Sequence, residues 1–363
     1  MFDLAVREER WAAADTLIRR KFRDQVPYDV RVLFAVVRKD TAGQRQLRAE
    51  GQQTAGEKGR RIDRALEAGS LLAHYLEDLD RAEEFTRFST GPSLPARIRA
   101  SAHYFLGDLA VTGGRWTAAK SEFEAGGRVG HSDSALVRRA LAATLPFLAV
   151  PSADVEIIRA AVERWKPGRD VSTPLSESIR PLAGHLRLYL LGLLNARLGL
   201  ARDALRLASE LEMLTAPPEA RALVRTLART IRADVASGAG RTNEGLTLLE
   251  GIQGEVPLEL ISVPFFSEEH ARYLRARLLY QAGRDEEALR LAQSGFVGTP
   301  NELYYRAPAH LLQAEIQHRL GNRSAAAEQY SRFLRLWDAC DPAQTPVVEG
   351  ARAELAAMTA EPQ

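Results

Sequence analysis

Five segments of the chain carry the same spacing of small residues, and this repetition constrains the fold more than any other feature. In each segment a second small residue follows the first after seven positions, and a third follows after five more. In chain order the triplets are Gly107, Gly114 and Ala119; Gly192, Gly199 and Ala204; Ala233, Gly240 and Gly245; Ala276, Gly283 and Ala288; and Ala314, Gly321 and Ala326. A chain that repeats one spacing in this way builds one structural unit several times.

The spacing is that of two antiparallel helices joined by a tight turn. Such a pair needs a small residue where the two backbones come closest, a residue in left-handed conformation at the turn, and another small residue on the second helix. The middle glycine of each triplet fits the turn position. Apolar residues recur beside the turns at helical spacing, as in Leu188, Leu191 and Leu194. We therefore predict a row of amphipathic helix hairpins.

Four stretches with this spacing resemble tetratricopeptide repeats (TPR). They are YFLGDLAVTGGRWTAAKSEF at 104–123, YLLGLLNARLGLARDAL at 189–205, ARLLYQAGRDEEALRLA at 276–292 and AEIQHRLGNRSAAAEQYSRFL at 314–334. Units of that family are about 34 residues long, whereas most turn glycines here are roughly 40 residues apart, a longer repeat than the family standard. The resemblance implies an all-α, TPR-like superhelical solenoid of antiparallel helix hairpins, with elongated and irregular units.

The remaining segments fit one continuous solenoid. The wide gap between Gly114 and Gly199 contains a further helix pair, SALVRRALAATLPFL and, after two prolines, SADVEIIRAAVERW. Helical periodicity continues before residue 90 without glycine at the expected turns. We expect degenerate helical repeats at 1–90, and TPR-like repeats at 91–363 that end in a capping helix after Pro346. The whole chain then holds roughly 17 to 20 helices and almost no strand.

The C-terminal half to two-thirds has a second, narrower resemblance. It is similar to the C-terminal helical-repeat region of large bacterial serine/threonine protein kinases and related signalling regulators, most distinctively in PFFSEEHARYLRA (264–276) and FLRLWDACDP (333–342). The kinase motifs themselves are missing from the sequence, so kinase activity is not implied. Because only eight residues precede a turn-like segment at Glu9, we also expect the chain to be a fragment of a longer polypeptide, or descended from one.

Composition excludes several classes of function. With 49 Lys and Arg against 47 Asp and Glu, the formal net charge is +2, and no overall field favours nucleic acid or an anionic membrane. The longest apolar runs are far shorter than the roughly 20 residues that span a bilayer, and charged residues interrupt the amino terminus before a signal peptide could form. A single cysteine, Cys340, excludes a disulfide framework. We therefore predict a cytoplasmic protein without a membrane segment. The resemblance to bacterial kinases implies that the protein is bacterial.

Only five of the basic residues are lysines, and two interpretations of this arginine excess stay open. Arginine suits phosphate contacts, so the basic segment 1–64, with Lys58, Arg60, Arg61 and Arg64, allows a transcription-regulating or nucleic-acid-associated module as the alternative function. A GC-rich genome also produces many arginines. Acidic residues are interleaved with the arginines almost throughout, which argues against nucleic acid as the partner.

No motif indicates catalysis, a cofactor or a metal. Gly51 to Lys58 has the outline of a phosphate loop, but a glutamate stands where that loop needs its lysine. The histidines are scattered, and His310 and His318 are eight positions apart instead of the four of a helical zinc pair. Two neighbouring aspartates would raise the pKa of the Cys340 thiol and leave it a poor nucleophile. We predict no enzyme, no cofactor and no metal.

In TPR proteins the first helix of each pair lines a concave groove, and the family register assigns residues of this chain to it. The resemblance implies that the groove binds a peptide or a partner protein through aromatic and charged side chains. The candidates are Tyr104, Asp108, Tyr189, Arg197, Asp234, His270, Tyr273, Arg277, Tyr280, Glu315, His318 and Arg319. Packing between adjacent units is the alternative role of each tyrosine. The predicted function is a protein-binding scaffold or a regulatory module of a bacterial signalling system; the sequence indicates neither the partner nor the oligomeric state.

Overall fold

The described part of the chain is entirely helical in its regular structure. The computed structural model describes residues 10–22, 25–54, 63–130, 132–167, 180–250, 269–294 and 300–360. These ranges contain nineteen α-helices and no β-strand. The predicted all-α class is confirmed, and the number of helices lies within the predicted range.

Most of the helices form antiparallel pairs, with a short turn between the two helices of a pair. The N-terminal helices are α1 (Trp11–Phe22), α2 (Tyr28–Val37), α3 (Thr41–Thr54), α4 (Arg64–Leu71), which continues into one π-helical turn at Leu72–Leu76, and α5 (Leu79–Arg87). The central helices are α6 (Ala96–Thr112), α7 (Trp116–Val129), α8 (Ser132–Thr144), α9 (Ser152–Arg164), α10 (Ala183–Arg197), α11 (Ala201–Met213), α12 (Arg221–Gly238) and α13 (Thr242–Glu250). The C-terminal helices are α14 (Glu269–Gln281), α15 (Asp285–Gln293), α16 (Pro300–Tyr304), α17 (Arg306–Arg319), α18 (Arg323–Leu336) and α19 (Thr345–Ala360).

The predicted turn glycines occupy the turns. Among the described residues, the glycines with positive φ are Gly114, Gly199, Gly240, Gly283 and Gly321. At Gly283 the backbone N–H groups of Gly283 and Arg284 donate to the carbonyls of Tyr280 and Leu279, at 3.1 and 2.9 Å. This pair of bonds closes the C-terminus of a helix around a left-handed residue. The structure therefore confirms the TPR-like solenoid of antiparallel hairpins.

The other small residues of each triplet mark the close approach of helices. All of them are buried. On α6, a Cβ added to Gly107 would lie 2.3 Å from a ring carbon of Phe123 on α7, so only glycine fits there without displacing that ring. Ala119, at the matching position of α7, is 0% exposed. The extra pair predicted between Gly114 and Gly199 is present as α8 and α9.

First helices of successive pairs pack side by side, in the order α6, α8, α10, α12, α14 and α17. The row returns on itself, because the pair α17/α18 packs near α5 and α6. His310 of α17 lies 2.9 Å from a carboxylate oxygen of Glu77, and Trp337 donates from Nε1 to the Thr112 carbonyl at 3.0 Å. One buried apolar cluster accordingly joins residues of α2, α6, α17 and α18.

The segment after α18 forms hydrogen bonds with the turn between α6 and α7. The Asp341 carboxylate accepts from the Thr117 backbone N–H at 2.9 Å and from the Thr117 hydroxyl at 3.0 Å, and the Asp341 N–H donates to the Gly114 carbonyl at 3.1 Å. A residue 224 positions downstream therefore provides the cap at the start of α7.

The described helices do not test two predictions made from the sequence. The turn expected at Glu9, on which the fragment hypothesis rests, lies outside the described residues. The boundary placed at residue 90 stays a prediction.

Candidate partner-binding surface

The twelve predicted groove residues lie on the first helices α6, α10, α12, α14 and α17 and form two groups. The first, which we name the inner cluster, contacts other elements of the same chain and consists of Tyr104, Asp108, Tyr189, Arg197, Asp234, His270 and Tyr273. The second, the rim patch, lies toward the C-terminal ends of α14 and α17 and consists of Arg277, Tyr280, Glu315, His318 and Arg319.

The short helix α16 covers the inner cluster at Asp108. Tyr304 is 2% exposed, and its hydroxyl donates to Oδ1 of Asp108 at 2.5 Å. Arg138 of α8 donates to the other oxygen, Oδ2, and its guanidinium lies over the Tyr104 ring, 5.3 Å from the centroid. Both oxygens of this buried carboxylate therefore have donors from within the chain.

Burial dominates the electrostatics of this group. It raises the pKa of the Asp108 carboxyl, and the charge of Arg138 with the hydrogen bonds from Tyr304 and Arg138 opposes that shift. Burial also raises the pKa of Tyr304 well above its usual range, so the hydroxyl keeps its proton and remains a donor. Because Asp108 is fully buried, removing Arg138 would leave a buried carboxylate without its opposite charge, which is costly.

Tyr305, the residue between α16 and α17, fills the neighbouring part of the inner cluster. Its hydroxyl oxygen lies 3.1 Å from Nδ1 of His270. Its ring contacts the rings of Phe147 and Tyr273, with centroid separations of 5.3 and 5.6 Å. Nε2 of His270 lies 3.7 Å from a carboxylate oxygen of Asp234. The aromatic rings and the histidine thus form one packed layer around a single tyrosine.

The other inner-cluster residues are also engaged within the chain. Arg197 donates to the Leu148 carbonyl at 2.6 Å, and burial lowers the pKa of its guanidinium against the charge of Asp234. Tyr189 is 4% exposed and belongs to the main apolar cluster. The placements of Tyr104, Tyr189 and Tyr273 accord with the alternative role of packing between units.

The structure therefore differs from an open groove at Asp108, His270 and Tyr273, because Tyr304 and Tyr305 lie against them. Sequence reasoning missed Arg138, Phe147, Tyr304 and Tyr305. A helix of five residues leaves no helical periodicity to detect, and the one signal was a pair of adjacent tyrosines directly before α17. Binding of a partner by the inner cluster stays a prediction.

The rim patch has a fixed aromatic corner. The Arg319 guanidinium lies 3.6 Å from the centroid of the Tyr280 ring. Arg319 also donates to the Tyr280 carbonyl at 2.5 Å and to the Asp285 carboxylate. Three contacts within the chain therefore restrain the Arg319 guanidinium: the Tyr280 ring, the Tyr280 carbonyl and the Asp285 carboxylate.

Arg277 and Glu315 lie beside this corner, both partly exposed. Within the part of the chain that the structure describes, neither side chain has a hydrogen bond or an ion pair. Arg277 lies 5.9 Å from the centroid of the Tyr273 ring. Burial raises the pKa of the Glu315 carboxyl, although the nearby charges of Arg277 and Arg319 oppose the shift. The Arg277 guanidinium therefore offers hydrogen-bond donors, and the Glu315 carboxylate offers acceptors, that no described residue of the chain uses.

His318 forms the exposed edge of the rim patch. Its Nδ1 lies 3.3 Å from Oε2 of Glu354 on α19, and both side chains are about half exposed. The predicted capping helix thus borders the rim patch on this side.

A separate crevice of about 890 Å³ opens between the end of α9, the start of α10 and the end of α11. Trp165, Pro167, Leu188, Met213 and Leu214 contribute its apolar walls. Met213 is 84% exposed. None of the twelve predicted residues lines this crevice.

The described residues contain no group of three or more His, Cys, Asp or Glu side chains that could hold a metal ion. Cys340 is partly buried, and burial, with smaller contributions from Asp341 and Asp338, raises the pKa of its thiol. The direction is the one predicted from the two aspartates, but burial is the larger cause.

Several arginines of the basic N-terminal segment are paired with carboxylates. Arg31 lies 2.5 Å from Glu50, Arg38 lies 2.8 Å from Asp15, and Arg48 lies 2.7 Å from Glu84. Lys58, Arg60 and Arg61 lie outside the described residues. Across the described ranges, every helix is too short or too polar to cross a bilayer.

Comparison with known proteins gives a structural likeness only. No protein-family model matches the chain, and no curated protein matches it. Among solved structures, a tetratricopeptide repeat protein from Parabacteroides merdae ATCC 43184 is similar at 17% identity and a TM-score of 0.39, over 81% of this chain and 97% of that one. The assignment of the fold rests on the hairpins and left-handed turns of the chain itself.

Proposed function

We propose that the chain is a non-catalytic helical-repeat scaffold that binds a segment of a partner protein on the rim patch. The observation that carries this proposal is the pair Arg277 and Glu315, whose side chains are partly buried beside aromatic rings and have no hydrogen-bond partner among the described residues. An extended peptide offers a carbonyl and an N–H along its backbone, and these complement a guanidinium and a carboxylate.

The stacked pair of Tyr280 and Arg319 supports the same surface. Tyrosine and arginine are enriched among the few residues that dominate binding at protein interfaces, and side chains held in place before binding lose less entropy. Arg319 is already fixed by Asp285 and by the Tyr280 carbonyl. Binding would therefore order few additional side chains of the scaffold.

A role as the regulatory arm of a cytoplasmic signalling system is the finer proposal. It is supported by the resemblance of 264–276 and 333–342 to the helical-repeat region of bacterial kinases and regulators. The alternative, a nucleic-acid-associated module, is less favoured, because Arg31, Arg38 and Arg48 are paired with carboxylates.

Selection from a displayed library of random peptides tests the proposal and does not require the partner to be identified. We expect the wild-type chain to enrich a family of sequences whose binding falls at least tenfold in Arg277→Ala and in Glu315→Ala, since each substitution removes one side of the pair. Titration calorimetry or fluorescence anisotropy with one enriched peptide measures the loss.

Two matched controls accompany this experiment. Arg206→Ala removes an exposed arginine of α11 that is paired with Glu210, so binding should not change. Met213→Ala alters the separate crevice and should also leave binding unchanged. Enrichment of no sequence, or loss of binding in Met213→Ala with retention in Glu315→Ala, would contradict the assignment to the rim patch.

A further inference from the structure

Helix α16 is not part of a hairpin among the described helices, yet its side chains lie in the interior of the array. The pairs α14/α15 and α17/α18 are each complete without it, with turns at Gly283 and Gly321. Leu303, Tyr304 and Tyr305 are 0, 2 and 7% exposed. Segment 303–305, which is the end of α16 and the residue after it, therefore places three large side chains against first helices to which it is not paired in sequence.

The surface beneath α16 is built for hydroxyl groups as well as for apolar contact. Tyr304 donates to Asp108, which Arg138 holds from the other side, and the Tyr305 hydroxyl meets Nδ1 of His270. Nε2 of His270 is buried without a hydrogen bond among the described residues. A core that served only packing would gain from apolar residues in place of such buried polar groups, because burying them is costly.

We infer that α16, together with Tyr305, is the chain's own ligand. It covers in cis the surface formed by Asp108, Arg138, Phe147, His270 and Tyr273, which we name the inner surface. A partner segment with two adjacent tyrosines binds on this same surface. The structure supplies the chemistry of that segment. One tyrosine hydroxyl binds the Asp108–Arg138 pair, and the next binds His270 between the rings of Phe147 and Tyr273. On either side of the two tyrosines lie Glu302 of α16 and Arg306, the first residue of α17, and Arg306 donates to the Glu302 carboxylate at 2.7 Å.

This inference goes beyond the rim patch, which is accessible as it stands. The two surfaces meet at Tyr273, whose ring contacts Tyr305 on one side and lies near the Arg277 guanidinium on the other. Occupation of the inner surface by α16 holds the scaffold in a closed state, and a partner must compete with α16 to enter.

The probe for a direct test is the synthetic peptide TPNELYYRA, which reproduces residues 299–307 with blocked ends. The full-length Tyr304→Ala/Tyr305→Ala variant empties the positions of both rings. We expect the peptide to raise the melting temperature of this variant and to leave that of the wild type unchanged at the same concentration. A peptide with phenylalanine in place of both tyrosines should bind the variant at least tenfold more weakly, because it loses both hydroxyl contacts.

Hydrogen exchange on the wild-type chain decides the question even if the double variant does not fold. Increasing peptide should raise exchange at the amides of α16 while exchange within α17 stays constant. Tyr304→Phe keeps the ring and removes only the hydrogen bond to Asp108. In this variant, the peptide concentration that raises exchange at α16 should be about tenfold lower than in the wild type. Unchanged exchange at α16 in both proteins up to millimolar peptide would overturn the inference, as would equal binding of the phenylalanine peptide.

Discussion

At the scale of single residues, Glu77 connects the start of the array to its end. It follows the π-helical turn of α4 with a left-handed backbone, φ 54°, and lies 2.9 Å from Nε2 of His310. Burial alone would raise its pKa, but the hydrogen bond and charge of His310, with the charges of Arg306 and Arg332, lower the pKa of the carboxyl to about 2. The contact between the two ends is therefore sensitive to acid.

The folded pKa of Glu77 is lower than its unfolded value of 4.5, so its stabilisation is complete above pH 4.5 and is lost as pH falls toward 2. We expect the free energy of unfolding of the wild type to fall by about 2–3 kcal/mol more than that of Glu77→Gln between pH 5 and 2. Urea unfolding at a series of pH values measures the difference. Parallel pH profiles for the two proteins would contradict it.

Two turn glycines have the same backbone conformation but different surroundings. A Cβ at Gly283 would meet nothing within 4 Å, whereas a Cβ at Gly114 would lie 3.1 Å from the Trp337 ring. We expect Gly283→Ala to cost about 1 kcal/mol through the left-handed backbone alone. Gly114→Ala should cost about 2–3 kcal/mol, because Trp337 must also move. Equal losses in urea unfolding would show that Trp337 does not pack on this turn.

At the scale of elements, α7 begins without a capping side chain of its own. The preceding residue, Arg115, makes no side-chain cap, and the Asp341 carboxylate provides the acceptor instead. Asp341→Ala should therefore cost about 1 kcal/mol and speed exchange of the Thr117 amide. Asp338→Ala is the matched control, since that side chain is 81% exposed and should leave both quantities unchanged. Normal protection of Thr117 in Asp341→Ala would contradict the cap.

The helices differ in whether nearby or distant residues in the sequence determine their positions. Hairpins α6/α7, α10/α11 and α17/α18 could be predicted because a left-handed glycine and a buried small residue leave a fixed spacing within one pair. Helix α16 could not, because its position is set by Tyr304 meeting Asp108, 196 residues away in sequence. The predicted groove residues were correctly placed on first helices, but what covers them depends on this distant contact.

At the scale of the whole molecule, the array is a row of hairpins that returns on itself. Its last pair, α17/α18, packs near α5 and the pair α6/α7. Glu77 with His310, Thr112 with Trp337, and Thr117 with Asp341 are three separate joints between the two parts. No local register encodes this return, since it accumulates from small rotations between many pairs. It also decides how much of the inner surface is open to a partner, so the proposed competition between α16 and a partner depends on it.

The native Cys340 allows this closure to be measured directly. The Cβ of a residue introduced at 114 would lie 3.2 Å from the Cβ of Cys340, close to the roughly 3.5–4.5 Å of disulfides. Gly283→Cys is the matched control, with the same left-handed backbone and nothing within 4 Å. Under mild oxidation, mass spectrometry should find an intramolecular 114–340 disulfide in folded Gly114→Cys and none in the control or in urea. Free thiols or only intermolecular bridges in folded Gly114→Cys would contradict a closed array.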